Sequence, residues 1–391
     1  MRKVSGLERV WLAARHVAPP FANQLVLEGK GWPTPPGGWD VALANLAEAQ
    51  PGCRLRLRGV LGNMRWTADG PLPAVREVDG SAWDGMDPRG ATFLSEPIHP
   101  GKGPNLEILL VHGSPPRVVL RSLNAATDGA GMQLLARGVF ASLRGEAPPR
   151  ASAGPENDMS LARDLGVQPT APPPQDACAP TGAADPSHQG WTWKRTRVPV
   201  FNNPLPNLAL ALATDTRAGK VFRVDIPVDL RRYATRIQST ANLTGWMQLP
   251  VHLHLGADDP VEALRYVLRD GIQRKAPASM VLGAGFARST PLPLLGWAGR
   301  RMARQCQRDG RYATSAVLSH LGKLDLRELS GGGFRAERAF FVPPGSPGQP
   351  AFVTTTVGPE GVELCIAMPN ALASEGRLDD LIGKLRRCLP R

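Results

Sequence analysis

Cysteine is scarce in this chain. The five present (Cys53, Cys178, Cys306, Cys365 and Cys388) are scattered, odd in number and never spaced as Cys-x-x-Cys. That usage argues against a disulfide framework or a cysteine-built zinc centre and fits free thiols in a reducing compartment, so a cytoplasmic protein is expected. The opening Met1-Arg-Lys-Val-Ser-Gly-Leu-Glu-Arg-Val lacks the apolar core of a signal peptide. No run approaches the ~18 apolar residues of a membrane span, so no span is expected. Without secretion, the sequon Asn242-Leu-Thr carries no meaning. Phosphate-binding motifs are missing too. Gly331-Gly-Gly333 is not followed by Lys-Ser/Thr, Gly283-Ala-Gly285 lacks a third glycine, and there is no Gly-x-Ser-x-Gly. Acidic residues are outnumbered, 34 against 46 basic, for a net charge of +12. The arginines nevertheless form no long or aromatic-interleaved tract, so no nucleic-acid partner is expected. The residual positive field favours anionic partners.

What the chain has is enough apolar content, 42% of 391 residues, to bury a large core over two domains. A Pro/Ala-rich linker over 151–192, including Pro172-Pro-Pro174, separates an N-terminal half (1–150) from a C-terminal half (193–391). A short helical patch, 159–166, interrupts the linker. In the first half, residues 38–49 carry helical spacing and 54–58 alternate as a half-buried strand. Residues 106–111 and 118–120 read as strands around the turn 112–116, and Met132, Leu135, Ala136, Val139 and Leu143 stripe a helix opening near Asp128. In the second half, 220–228 and 246–255 read as strands and 261–272 as a helix. Residues 352–357 and 362–367 form a hairpin, and 378–385 a closing helix. The expected class is therefore α/β, with mixed sheets flanked by helices in each half.

The most informative stretch runs from Arg117-Val-Val-Leu-Arg-Ser-Leu through Asn124-Ala-Ala-Thr-Asp128-Gly129 into the striped helix. On its own, Asp128-Gly129 reads as a helix N-cap and turn. The stretch also resembles the His-His-x-x-x-Asp-Gly signature of the chloramphenicol acetyltransferase-like superfamily, which includes nonribosomal peptide synthetase condensation domains and stand-alone acyltransferases. Aligned on Asp128-Gly129, the two histidine positions fall on Leu123 and Asn124. Further segments are similar in order and spacing. Leu7-Glu-Arg-Val-Trp-Leu resembles the opening helix, and 226–232 with Ala241-Asn-Leu-Thr-Gly245 resembles the Val-Asp-x-Arg and Gly-Asn-x-x-Gly segments. Ser319-His-Leu-Gly322 resembles Ser-Asn-Leu-Gly.

The resemblance implies two acetyltransferase-like subdomains with a ligand channel between them. It implies acyl transfer from a thioester donor, with coenzyme A or phosphopantetheine as co-substrate and no bound cofactor. The partners are then acyl-CoA or an acyl carrier protein and a small-molecule acceptor, and a monomer is expected. The family's second histidine is the general base. Asn124, in its place, takes up no proton at neutral pH but can orient a substrate or polarise a carbonyl. The resemblance gives Asp128 a structural role, pairing with an arginine of the second half, for which Arg231 is the candidate. It places Gly129, Asn242 and Ser319 at the substrate.

His320 replaces the asparagine of Ser-Asn-Leu-Gly, so it is either a displaced base reaching the channel or a structural histidine at a strand end. His252 and His254 alternate on an expected strand and share a face, but no third ligand is indicated, so no metal is expected. His112, in a turn, is expected to be exposed. The basic run 300–308 either docks a carrier protein or coenzyme A phosphate, or is a solvated helix face. Two functions stay open: an acyltransferase of natural-product or lipid biosynthesis with a variant site, or a degenerate relative serving as a scaffold or repurposed, for example for cyclisation.

Overall fold

The computed structural model describes residues 1–152, 157–216, 219–234, 236–345 and 348–390. In the first half the elements are β1 (Arg2–Lys3), α1 (Gly6–Ala14), β2 (Ala22–Lys30), α2 (Trp39–Ala49), β3 (Arg56–Arg58), β4 (Arg65–Thr67), β5 (Ala74–Asp79), β6 (Leu106–His112), β7 (Arg117–Leu123) and α3 (Gly129–Leu143). The linker contributes α4 (Asp158–Asp164). The second half supplies β8 (Trp191–Val198), α5 (Pro204–Ala213), β9 (Val224–Asp229), β10 (Thr244–Leu249), α6 (Pro260–Gln273), α7 (Ala276–Leu282), α8 (Leu292–Asp309), β11 (Ala316–Lys323), β12 (Arg335–Val342), β13 (Phe352–Gly358), β14 (Gly361–Pro369), α9 (Asn370–Ala373) and α10 (Arg377–Cys388).

Two large mixed sheets stand side by side. One has the order β12-β2-β7-β6-β5 and the other β10-β9-β11-β13-β14-β8. In the first sheet the period of two sends Leu25, Leu27, Val118 and Leu120 against α2 and α3. It sends Val26, Val119 and Phe340 toward Trp193, Cys365 and Ala367 of the second sheet. β7 is buried at every position, which is why its sequence reads as an apolar run interrupted only by residues with dedicated partners. The far face of the second sheet, including Val224, Ile226, Ala316 and Leu318, packs with residues of α5, α6 and α10.

One strand ignores the division of the chain. β12, from the second half, pairs antiparallel with β2 from Arg335↔Lys30 to Val342↔Gln24 and completes the first half's sheet. The linker is also built in. Asn157 caps α4, and Met159, Leu161 and Ala162 bury beside Leu7 of α1 and Ala278 and Val281 of α7.

Several sequence expectations need correction. Residues 246–255 are not one strand, because β10 ends before Pro250, which has no N–H to donate, and the chain continues as a 3-10 turn over Val251–Leu253. His252 and His254 therefore do not alternate on a strand. Of residues 54–58 only Arg56–Arg58 is extended, following a 3-10 turn over Pro51–Arg54. The strand expected over 220–228 begins at Val224.

Candidate active site between the halves

Strand β7 and helix α3 present between them the five-residue loop 124–128. Asp128 caps α3, accepting from the Gly131 N–H at 2.7 Å. The same carboxylate takes both guanidinium nitrogens of Arg231, at 2.9 and 3.1 Å, together with the Leu243 N–H at 2.7 Å and the Thr244 hydroxyl at 3.1 Å. With every lone-pair direction in use, Asp128 ties the first half to the second and has no capacity left for catalysis. Arg231 also reaches Asp229 at 2.7 Å and the Ser239 carbonyl at 2.9 Å. Burial alone would lower the pKa of Arg231, but the charges of Asp128 and Asp229 outweigh it and raise it. Asp229 is pushed up by burial first and by the neighbouring Asp128 second.

The loop is pinned from the other side by Asn242. Its side-chain amide donates to the Asn124 carbonyl at 2.6 Å, its side-chain oxygen accepts from the Thr244 N–H at 3.1 Å, and its own N–H donates to Ala126 at 3.0 Å. Asn242 lies at the substrate space, but both ends of its amide are used to hold the motif loop. Glycine is needed at 129 and 131 for close approach. A Cβ at Gly129 would lie 2.5 Å from the Leu321 side chain, and one at Gly131 would lie 2.5 Å from the Thr240 carbonyl.

Between the halves lies a cavity of about 540 Å³, open and mostly apolar, into which Asn124, Asp128, Gly129, Asn242 and Ser319 face. Linker residues Thr170, Pro172 and Pro173 close part of its wall. A second cavity of about 460 Å³ adjoins it, sharing Trp11, Phe21, Phe286 and Asp225. Among the described residues lining either cavity, none is histidine, cysteine, lysine or arginine, and the ionisable ones are Asp128 and Asp225.

His320 does not join this site. On β11 the cavity-lining residues are Val317, Ser319 and Leu321, so His320 follows Ala316 and Leu318 onto the opposite face of the sheet. There its Nδ1 lies 2.6 Å from the Thr355 hydroxyl, and burial lowers its pKa. The displaced-base role considered for it from the sequence is therefore corrected, since a base must reach the proton it takes. Ser319 does face the cavity, and none of the described residues hydrogen-bonds its hydroxyl.

Sequence reasoning missed Asp225. It was legible only as an acid two residues before Pro227 and four before Asp229 on one alternating strand face. The residue is 9% exposed, and burial pushes its pKa up to about 6.

The remaining candidates sit elsewhere. His252 hydrogen-bonds the Phe222 carbonyl at 3.0 Å, and no group of three or more His, Cys, Asp or Glu able to hold a metal occurs among the described residues. His112 ends β6, half exposed, 2.8 Å from Glu77 and stacked on Trp32. The arginines of 300–308 lie on α8, where Arg300 reaches the His16 carbonyl at 3.2 Å and Arg301 lies over Trp297. All five thiols are free, and burial pushes that of Cys53 up to about 12. No helix among the described residues is long and apolar enough to cross a membrane.

No family model matches the chain, and no curated protein matches it in sequence. Solved structures do match in shape. The condensation domain of the monacolin K polyketide synthase is 11% identical, with 99% of this chain and 96% of that one covered at a TM-score of 0.59. The starter condensation domain of rhizomide synthetase is 15% identical, with 99% and 96% covered at a TM-score of 0.60. TRI101 of F. sporotrichioides, in complex with coenzyme A and T-2, is 13% identical, with 97% and 98% covered at a TM-score of 0.57. With two helix-flanked mixed sheets and near-complete overlap with these structures, the chain has the two-subdomain fold of condensation domains and chloramphenicol acetyltransferase-like proteins.

Proposed function

We propose that this protein is a condensation-type acyltransferase working without a histidine base, forming an amide or ester from a thioester donor in natural-product or lipid biosynthesis. The observation that carries the reading is the open apolar cavity of about 540 Å³ beside the Asn124 loop, since a protein retained only as a scaffold has no need to keep that space unfilled. The donor is an acyl-CoA or an acyl carrier protein thioester. A variant of the similar starter condensation domain was crystallised with C8-CoA and Leu-SNAC, which supports a channel fold that takes a thioester and a second substrate together.

Asn124 orients the acceptor or the thioester carbonyl through its amide, and the Asp128–Arg231 pair holds the loop that carries it. Lacking a base forfeits roughly 10²–10⁴ in rate for an acceptor that must lose a proton. An amine that reaches the site already neutral loses least, so amide formation is favoured over ester formation. The absence of histidine from the described lining favours one second reading, a repurposed reaction such as cyclisation in the same channel.

Incubation of the purified protein with octanoyl-CoA and matched amine and alcohol acceptors, followed by mass spectrometry, tests the proposal. An acylated amine that forms faster than the uncatalysed background supports it. No product, with octanoyl-CoA nevertheless bound, leaves a binding or repurposed channel.

A further inference from the structure

We propose that Asp225 anchors a positively charged nitrogen, so that the ligand of this channel is an amine with an apolar body. Asp225 stands on β9 opposite Gln248 of β10 and Val317 of β11, where the two cavities meet. Gln248 donates to its Oδ1 at 2.9 Å, and the Thr314 hydroxyl is the second protein donor within reach of the carboxylate. That hydroxyl has a single proton, for which the carbonyls of Ala316 at 2.9 Å and Arg223 at 3.2 Å compete with the carboxylate. The one basic side chain acting on Asp225 is Arg223, two residues earlier, and its attraction is shared with other partners. It pairs with Asp176 and donates to the Ala313 carbonyl at 2.8 Å and the Pro174 carbonyl at 2.6 Å. Arg223 and the two donors do not make up for the burial, so the carboxylate of Asp225 stays at a net penalty among Trp11, Phe21 and Phe286.

A carboxylate so placed is costly unless something supplies a donor and a positive charge, and an ammonium group supplies both. Asp128, the other acid on the cavity wall, is saturated by protein donors and cannot serve. The four residues from Asp225 to Asp229 amount to about 13 Å along an extended strand. Asp229 adjoins the Asp128–Arg231 pair, so Asp225 holds the part of the ligand remote from the motif loop. That this ligand is the acyl acceptor, with a second group near the motif loop as its nucleophile and the ammonium only as its anchor, rests on the function proposed above; the binding itself does not.

Quenching of tryptophan fluorescence, with Trp11 and Trp246 on the cavity wall, reports binding of n-octylamine and 1-octanol at pH 7.5. The expected result is octylamine binding about tenfold more tightly than octanol, as a charge-assisted hydrogen bond provides. Asp225→Asn is expected to abolish that preference and leave octanol affinity unchanged, with thermal melting checking that the variant is folded. Equal affinities of wild type for the two probes, or a preference that survives in a folded Asp225→Asn, overturns the proposal. A preference for octylamine together with no acyl transfer to any of the acceptors offered in the transfer assay would sink the transferase reading and leave this one standing.

Discussion

Two charged clusters join the halves. In the first, Glu28 of β2 accepts from Arg117 at 3.0 Å and from Arg195 of β8 at 3.0 Å, and Arg195 continues to Glu363 at 2.8 Å. It is sealed among Trp83, Phe340 and Trp193, with Arg195 stacked 3.9 Å over the Phe340 ring. In the second, beside the channel, Asp128 pairs with Arg231 and gives its remaining capacity to backbone and hydroxyl donors that shape the Asn124 loop. The same chemistry serves two ends. Where nothing enters, paired charges only fix how the halves dock. Where a ligand enters, they fix the loop that meets it.

If that contrast is right, the two clusters fail differently. Arg195→Met takes a charge-assisted hydrogen bond from each of two buried carboxylates, leaving Glu28 with Arg117 and Glu363 with Arg197, and is expected to cost about 3–5 kcal/mol in urea unfolding, with octylamine affinity unchanged at low temperature. An affinity loss in step with the stability loss would erase the distinction. Asp128→Asn keeps the shape but drops the charge opposite Arg231. It is expected to cost less stability, about 1–3 kcal/mol, while abolishing measurable transfer to the amine acceptor. Asn124→His touches neither cluster and restores a base, so transfer to an alcohol acceptor should rise on the order of 10²-fold with little change in melting temperature.

A smaller effect separates the clusters from Asp225, the one lining acid left without such pairing. Its folded pKa of about 6 lies above the ordinary 3.8, so its ionisation destabilises the fold, and the penalty is relieved as pH falls through 6. The melting advantage expected for Asp225→Asn at pH 8 should therefore shrink by pH 5, and the amine preference of the wild type should fade over the same window. Gln248, Thr314 and the Asp176-paired Arg223 are the groups facing this carboxylate, and among them only Arg223 and its partner carry charge. Smallest of all, His320→Ala should leave acyl transfer within about twofold and lose about 1 kcal/mol or less with the Thr355 contact.

The strand, turn and helix around Asp128 were readable because periodicity changes from two to 3.6 across a polar loop. Arg231 as the residue opposite Asp128 was reached only through the family resemblance, since nothing local links positions 103 apart. The face of His320 was not readable. β11 is apolar at both Val317 and Leu318, as expected of a strand packed on two sides, so alternation could not say which parity met the channel. Asp225 escaped for a related reason: an acid on a strand declares its role only when the cavity is known. The end of β10 at Pro250 was available in the sequence, and the run of apolar and histidine residues beyond it hid the break.

The crossing of β12 onto β2 bears on how the molecule is made. Until β12 arrives, β2 is the exposed margin of its sheet, with Leu25, Val26 and Leu27 along it. At a synthesis rate of about 5–20 residues per second, the roughly 300 residues between the two strands take about 15–60 s to emerge. For that interval the nascent first half carries an unpaired ladder ready to accept any extended segment that passes, and the ribosome delivers the rightful one only after all the strands it will sit beside.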